Sequence, residues 1–207
     1  MNKSVLVAAC LLAGPLSAHA VPFSFECITN NSSDDCAIGE NQFALDVLEA
    51  GGSSVSFTFS NAGPSRSSIT DIYFDWLSPA AALTPGGITD SGAGVSFSWG
   101  ASPGNVPGGN SIGFSADIGA DSNAPAQPNG VNPGEFVTFL FNASFTDILN
   151  NLNSGALSVA LHAQGFASGG SESFILSRPS TSVPEPGTLA LLGLGLMGVG
   201  LSRRRKA

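Results

Sequence analysis

The sequence predicts a mostly β protein, an antiparallel β-sandwich with one short helix. In several short runs, apolar residues alternate with polar ones, which is the two-residue period of a strand with one buried face. Clusters of glycine, proline and asparagine separate these runs. One segment alone has the apolar spacing of a helix. Short strands divided by turns, with one helix among them, favour two antiparallel sheets packed face to face.

Six runs are predicted to be strands. The run 136–141 is apolar on both faces, which is typical of a central strand. Around the run 72–76, Asp71 and Asp75 alternate with apolar residues, so we expect both carboxylates to face solvent. Tyr73 lies between them and is the one aromatic residue expected on an outer face. The six predicted strands are 55–59, 72–76, 95–99, 136–141, 157–161 and 173–176.

One short helix is predicted over residues 146–154. Thr146 can cap its first turn, and Gly155 can end it in the left-handed conformation. Its apolar stripe consists of Ile148, Leu149 and Leu152. Turn-forming residues separate the predicted elements at 61–64, 85–87, 103–105, 107–110 and 132–134.

Charge is distributed unevenly along the 207 residues, whose formal net charge is −8. Between residues 21 and 182 the only basic residues are Arg66 and Arg178, against fourteen carboxylates, which gives this span a formal charge of −12. Such a domain repels nucleic acid and anionic lipid headgroups, so neither is an expected partner. It can attract divalent cations or basic partners, although the acidity also serves simple solubility.

The N-terminus predicts a secretory signal peptide at residues 1–20. Lys3 supplies its positive charge and Val5–Leu12 its apolar segment. An Ala-x-Ala cleavage motif follows, and cleavage there would make Val21 the first residue of the mature chain. A competing interpretation is lipidation at Cys10, but only six residues separate it from the positive charge, which is short for an apolar segment. The residues that define the cleavage site are Ala18, Ala20 and Val21.

The C-terminus predicts three consecutive segments after an extracytoplasmic domain at 21–180. A linker at 181–187 contains the motif Val183, Pro184, Glu185 and Pro186. An apolar, glycine-rich transmembrane helix follows at 188–202. Its apolar run would be roughly 21 Å long as a helix, short against a hydrocarbon core of about 30 Å. A basic tail at 203–207 should remain cytoplasmic and hold the chain in the membrane through Arg203, Arg204, Arg205 and Lys206.

The order of Pro-Glu-Pro motif, short apolar helix and basic cluster resembles the PEP-CTERM sorting signal. The resemblance implies recognition by exosortase, a membrane transpeptidase, with cleavage near the motif. It also implies an inner-membrane-held precursor and a final place at the cell surface or in the extracellular matrix of a Gram-negative-type bacterium. Such proteins are associated with exopolysaccharide and biofilm matrix, so a cell-surface glycan is an expected partner. The competing interpretation is an ordinary tail anchor.

Four stretches of the middle of the chain are similar to an ectodomain that recurs on other PEP-CTERM proteins. Their motifs are mainly turns, so this resemblance bears on fold more than on activity, and it implies no specific function. The stretches are 69–76, 102–110, 129–135 and 169–174.

Two cysteines, Cys27 and Cys36, remain after removal of the predicted signal peptide. An even pair in an exported chain predicts a disulfide. A loop this short would add about 2–3 kcal/mol of stability by the loop-entropy estimate. Two free thiols are the alternative interpretation.

A calcium site is considered at Asp117 and Asp121, with Asn123 close by in what looks like a flexible loop. Carboxylate and amide oxygens are the ligands that Ca²⁺ prefers. The segment has neither an EF-hand nor a glycine-rich repeat pattern, and aspartates are also common in solvated loops. No other cofactor is expected.

Catalytic motifs are absent from the sequence, so the chain is not expected to be an enzyme. His162 is the only histidine after residue 20 and should lie on the surface. There is no nucleophile elbow, metalloprotease motif or phosphate-binding loop. The leading hypothesis is therefore a non-catalytic surface or matrix protein. The alternatives are a carbohydrate- or calcium-binding module and, third, a hydrolase.

Overall fold

A computed structural model describes residues 20–92 and 94–177, which form a mostly antiparallel β structure with few helices. The predicted signal peptide before Ala20, the linker, the transmembrane helix and the basic tail lie outside the described residues. Within the described ranges, no helix is long and apolar enough to cross a membrane.

Ten strands and three helices make up the described fold. The helices are α1 (Ser33–Gln42), α2 (Ala126–Asn129) and α3 (Phe145–Ser154). Short 3₁₀ turns occur at Pro79–Ala81 and Gly109–Ile112. The strands are β1 (Val21–Cys27), β2 (Phe43–Glu49), β3 (Ser54–Asn61), β4 (Ser68–Trp76), β5 (Pro85–Asp90), β6 (Phe97–Trp99), β7 (Ile118–Ser122), β8 (Glu135–Asn142), β9 (Leu157–Gln164) and β10 (Glu172–Leu176).

The strands form one continuous sheet in the order β5-β8-β3-β2-β1-β10-β9-β4-β7-β6. β1 joins its two halves, because its first residues pair with β2 while Phe25–Cys27 pair with β10. The end strands β5 and β6 also approach each other, and Trp99 Nε1 donates a 3.1 Å hydrogen bond to the Gly86 carbonyl. The fold is therefore barrel-like rather than clearly the two-sheet sandwich that the sequence predicted.

Phenylalanine rings fill the interior of this curled sheet. Phe74 on β4 meets Phe139 and Phe141 on β8, with ring centroids 6.2 and 5.0 Å apart and nearly perpendicular planes. Phe57 packs edge-on against both Phe74 and Phe141. Each such aromatic pair stabilises a fold by about 0.5–1.5 kcal/mol beyond the area it buries. The core therefore bridges strands that are distant in the sheet order, which holds the curled shape.

All six predicted strand runs lie wholly or partly in strands, but four further strands were missed. β1, β2 and β7 were not assigned, and the predicted turn 85–87 is the beginning of β5. β8 is central, between β5 and β3, as predicted. Its outer face is nevertheless partly open, because Phe136 is 42 % exposed.

The predicted helix is α3, which Gly155 ends at φ 78°, as expected. Its N-cap is Ser144 rather than Thr146, and the Ser144 side chain accepts a hydrogen bond from the Asp147 amide. The prediction of a single helix was wrong, because α1 also runs for ten residues. α1 begins with a Ser-x-x-Asp capping pattern at Ser32, which is the sequence signal that could have identified it.

Candidate functional site

A loop at residues 100–117, here called the covering loop, lies over the outer face of β4. Tyr73 points to that face, as predicted, yet it is completely buried. It packs with Val106 and Phe114 of the covering loop and with Ala160 of β9. Its hydroxyl donates a 3.1 Å hydrogen bond to the Pro103 carbonyl. Tyr73 therefore fastens the loop and cannot offer its ring to a ligand.

Carboxylates on β4 and β7 hold the covering loop in place. Asp75 accepts a 3.0 Å hydrogen bond from the Ser115 amide, and Asp121 accepts a 2.7 Å hydrogen bond from the Ser102 amide. Asp71 and Asp75 are only 7 % and 4 % exposed, so the prediction that they face solvent was wrong. The reason is that the loop supplies a second layer over this face, which strand alternation cannot reveal.

The two residues considered for calcium are not together in one flexible loop. Asp121 belongs to β7 and Asp117 immediately precedes it. Four residues of extended chain place them roughly 13 Å apart. Asp117 Oδ2 accepts a 2.8 Å hydrogen bond from the Trp76 amide, at the opposite end of the loop from the Asp121 contact. The structure thus does not bring the two carboxylates together.

Asp121 instead faces Asp71, its direct partner across the β4–β7 ladder. Asp71 is further held by a 2.6 Å hydrogen bond that the Thr70 hydroxyl donates. Burial raises the pKa of Asp71 above its usual value. Burial, followed by the adjacent Asp71 carboxylate, raises the pKa of Asp121 to about 6. Two carboxylates this close favour sharing one proton over both being charged.

We expect Asp121→Asn to stabilise the protein at pH 8 and to have little effect at pH 4. A carboxyl whose pKa is raised by folding stabilises the native state when protonated, and that stability is lost as pH rises from about 4 through 6. Asparagine avoids the loss, can still accept from Ser102, and can donate to Asp71. Allowing for solvent screening, the gain should be about 1 kcal/mol.

The measurement is chemical denaturation of wild type and variant at both pH values. Asp90→Asn is the matched control, since Asp90 is exposed and opposes Val137 instead of a carboxylate. If the free energies of unfolding of wild type and Asp121→Asn differ by the same amount at pH 4 and pH 8, the shared-proton interpretation is contradicted.

The predicted disulfide between Cys27 and Cys36 is confirmed, with an S–S distance of 2.02 Å. It ties the end of β1 to the first turns of α1. Glu172, only 1 % exposed, lies beside it and accepts hydrogen bonds from the Asn31 and Ser32 amides at 3.0 and 2.7 Å. A carboxylate at a helix N-terminus is favoured by the helix dipole. Disulfide and carboxylate together therefore fix where α1 begins. Among the described residues, one group of three side chains could offer metal ligands, and it consists of Cys27, Cys36 and Glu172. The sulfur atoms of both cysteines are bonded to each other in the disulfide.

His162 is half-buried, which corrects the expectation of a surface histidine. Its Nδ1 lies 3.0 Å from the Ser173 hydroxyl on β10. Burial lowers the pKa of His162, against an opposing effect of Glu172. Ser173 has no exposed surface. This serine–histidine contact is therefore explained by cross-strand packing.

A groove of about 490 Å³ lies where β5 and β6 meet. Trp99 and Pro85 form its apolar walls, and Asp117 supplies a carboxylate. The remaining lining consists of small or aliphatic residues: Gly100, Ala101, Gly104, Ala116, Ile118 and Gly119. An aromatic ring next to a carboxylate and exposed backbone groups is an arrangement that suits the apolar face and hydroxyls of a sugar.

Comparison with known proteins identifies the C-terminus. Residues 182–206 match the PEP-CTERM protein-sorting motif. No curated protein and no solved structure matches the chain. The motif implies export and a membrane-held precursor that exosortase processes in Gram-negative-type bacteria. By this C-terminal motif, the chain is a PEP-CTERM sorting-domain protein that is targeted to exosortase.

Proposed function

We propose that the chain is a non-catalytic component of the cell surface or of a biofilm and exopolysaccharide matrix. A signal peptide at 1–20 directs export, and a transmembrane helix at 188–202 holds the precursor with its basic tail inside. Exosortase then cuts within or near the linker 181–187. The observation that carries this proposal is the sorting motif at residues 182–206.

The ends of the described strands support this proposal, because cleavage at either predicted position would leave them intact. β1 begins at Val21, whose position opposite Val47 makes it part of the sheet. Cleavage after Ala20 would therefore leave the first strand intact. At the other end β10 finishes at Leu176, before the matched motif begins. Cutting near the motif would remove no described strand.

The chemistry of the domain also supports an extracytoplasmic location. A disulfide between Cys27 and Cys36 is typical of oxidising compartments. A formal charge of −12 between residues 21 and 182 suits a soluble exported domain that does not adhere to anionic membranes.

Intact-mass analysis of protein recovered from the cell surface tests the N-terminal half of this proposal. We expect the mature chain to begin at Val21, because the Ala-x-Ala motif ends at Ala20 and β1 begins directly after it. A retained segment 1–20 would contradict it. So would a lipid-modified start at Cys10, which would indicate lipoprotein processing.

A carbohydrate-binding module is the second candidate function, and the groove beside Trp99 favours it. Its volume of about 490 Å³ is within the range of small-molecule sites, and it combines an aromatic wall with the Asp117 carboxylate. A glycan array probed with and without calcium distinguishes this function from a purely structural role. A dependence on calcium would indicate a metal-assisted site.

A further inference from the structure

Arg66 is the only lysine or arginine in the part of the chain that the structure describes, which also contains fourteen carboxylates. It is exposed, and it forms no hydrogen bond or ion pair with any described residue. The fourteen carboxylates of the domain thus leave this guanidinium unpaired. Its five N–H donors are therefore available to a ligand.

A polar pocket of about 220 Å³ lies beside Arg66. None of its lining residues is acidic, in contrast to the domain as a whole. The Glu135 carboxylate is nearby but is engaged with Asn132, accepting hydrogen bonds from its amide and side chain at 2.8 and 3.0 Å. The pocket is lined by Arg66, Ser68, Gln127, Asn132 and Pro133, among others.

Two polar groups in this pocket have no partner among the described residues. They are the side-chain amide of Gln127 and the Oδ1 of Asn132. The amide can donate or accept hydrogen bonds, and Oδ1 can accept them. Ser68 Oγ already donates a 2.9 Å hydrogen bond to the Gln127 carbonyl, which leaves its lone pairs to accept. Next to Arg66 the pocket thus offers both donors and acceptors.

A buried polar network fixes the loop that carries Arg66. Gln42, Asn61 and Ser67 are 5 %, 1 % and 2 % exposed and are hydrogen-bonded to one another. Gln42 also binds both sides of Ser65, accepting from its amide at 2.6 Å and donating to its carbonyl at 2.9 Å. Fully satisfied buried networks hold one conformation. The network therefore fixes the backbone on both sides of Arg66, so that binding has to order only the arginine side chain.

From this arrangement we infer that the Arg66 pocket binds a small hydroxylated carboxylate, of the uronic acid type. The planar guanidinium matches a carboxylate with two parallel hydrogen bonds. Gln127, Asn132 and Ser68 face the hydroxyl groups, and the Pro133 ring provides an apolar wall. The volume admits one sugar ring or a smaller group, below the range of drug-sized sites. A formal charge of −12 disfavours a dense polyanion, so isolated carboxylates are preferred.

Calorimetric titration of the full chain, purified in a non-ionic detergent, with sodium glucuronate tests this inference. We expect saturable binding of glucuronate and none of glucose, which lacks the carboxylate. Arg66→Gln should weaken binding at least about tenfold, since it removes charge-assisted hydrogen bonds. Arg66→Lys should lie between, because a lysine keeps the charge but loses the bidentate geometry. An unchanged melting temperature would show that Arg66→Gln still folds.

Arg178→Gln is the matched control, since it makes the same change in net charge and should leave glucuronate binding intact. Three results would overturn the inference: no saturable glucuronate binding, equal binding of glucose, or equal losses in Arg66→Gln and Arg178→Gln. A further titration with oligogalacturonate shows whether the pocket prefers a free sugar acid or a polymer of sugar acids. We expect the oligomer to bind more weakly per sugar unit than the free acid. None of these measurements depends on sorting, so their outcome is independent of whether the proposed function is correct.

Discussion

Replacing Pro184, Glu185 and Pro186 with alanines is expected to leave export intact and the protein uncut in the membrane. Each proline fixes its own φ and disfavours helix in the preceding residue, so the native motif presents an extended backbone. An extended segment outside the bilayer is accessible to a membrane-bound transpeptidase. Alanines favour helix and allow the following apolar helix to continue through the cleavage region. We expect nearly complete loss of processing, measured as full-length protein in membrane fractions.

The basic cluster provides the matched control for this variant. Neutral residues in place of Arg203–Lys206 remove the charges that keep the C-terminus cytoplasmic. Unprocessed chain should then escape to the outside, a failure distinct from retention in the membrane. If the alanine variant is still cut at the same place, and only when the same enzyme is present, the Pro-Glu-Pro motif is not the recognition element.

Gly39→Ala is expected to destabilise the exported domain by about 2 kcal/mol, although alanine favours helix by about 1 kcal/mol. Gly39 lies in α1 against the core, and a Cβ there would overlap Cζ of Phe174 and lie 2.9 Å from Cε2 of Phe43. Phe174 cannot easily move, because it is fully buried and packs edge-on against Phe43 at 5.3 Å. The overpacking therefore exceeds the helix-propensity gain.

Thermal unfolding measures this effect, and the melting temperature should fall by roughly 4–8 °C. Gly104→Ala is the control, since a Cβ at that position meets nothing within 4 Å. In a Phe174→Leu background the smaller side chain leaves room for the added methyl group. Gly39→Ala should then lower the melting temperature much less. If Gly39→Ala lowers the melting temperature equally in both backgrounds, the Gly39–Phe174 contact is not the cause of the destabilisation.

Alternation identified the strands whose inner residues enter the phenylalanine core. β3 and β9 could be predicted because large apolar residues occupy every second position and polar or small residues intervene. α3 could be predicted from its apolar stripe and from Gly155, which adopts the left-handed conformation. In these elements local pattern and tertiary burial agree, so the sequence alone is informative.

α1 could not be found by the same reasoning, because its buried face is polar and small. The residues that it buries are Asp35, Cys36, Gly39 and Gln42. These positions are occupied by a disulfide, a close contact with Phe174 and a hydrogen-bond network. None of these produces a hydrophobic period, so only the Ser-x-x-Asp cap at Ser32 marked the helix.

The outer layer was hidden for a different reason. Alternation placed Tyr73 on the outer face of β4 but gave no information on what lies over that face. The covering loop packs through Val106 and Phe114, two isolated apolar residues among glycines and prolines. Likewise, a loop places Arg66 beside its pocket, and the approach of β5 to β6 places Trp99 beside the groove. Contacts between segments distant in sequence have no local signature.

Peptide mass spectrometry of the C-terminus of surface-recovered protein tests the sorting account most directly. Cells with exosortase and otherwise identical cells without it are compared. In cells with exosortase, we expect surface protein to end near Pro184–Pro186 and to lack residues 188–207. In cells without exosortase, we expect only uncut chain in the membrane. Recovery of an intact C-terminus from the surface, or the same cleavage in cells without exosortase, would contradict the account.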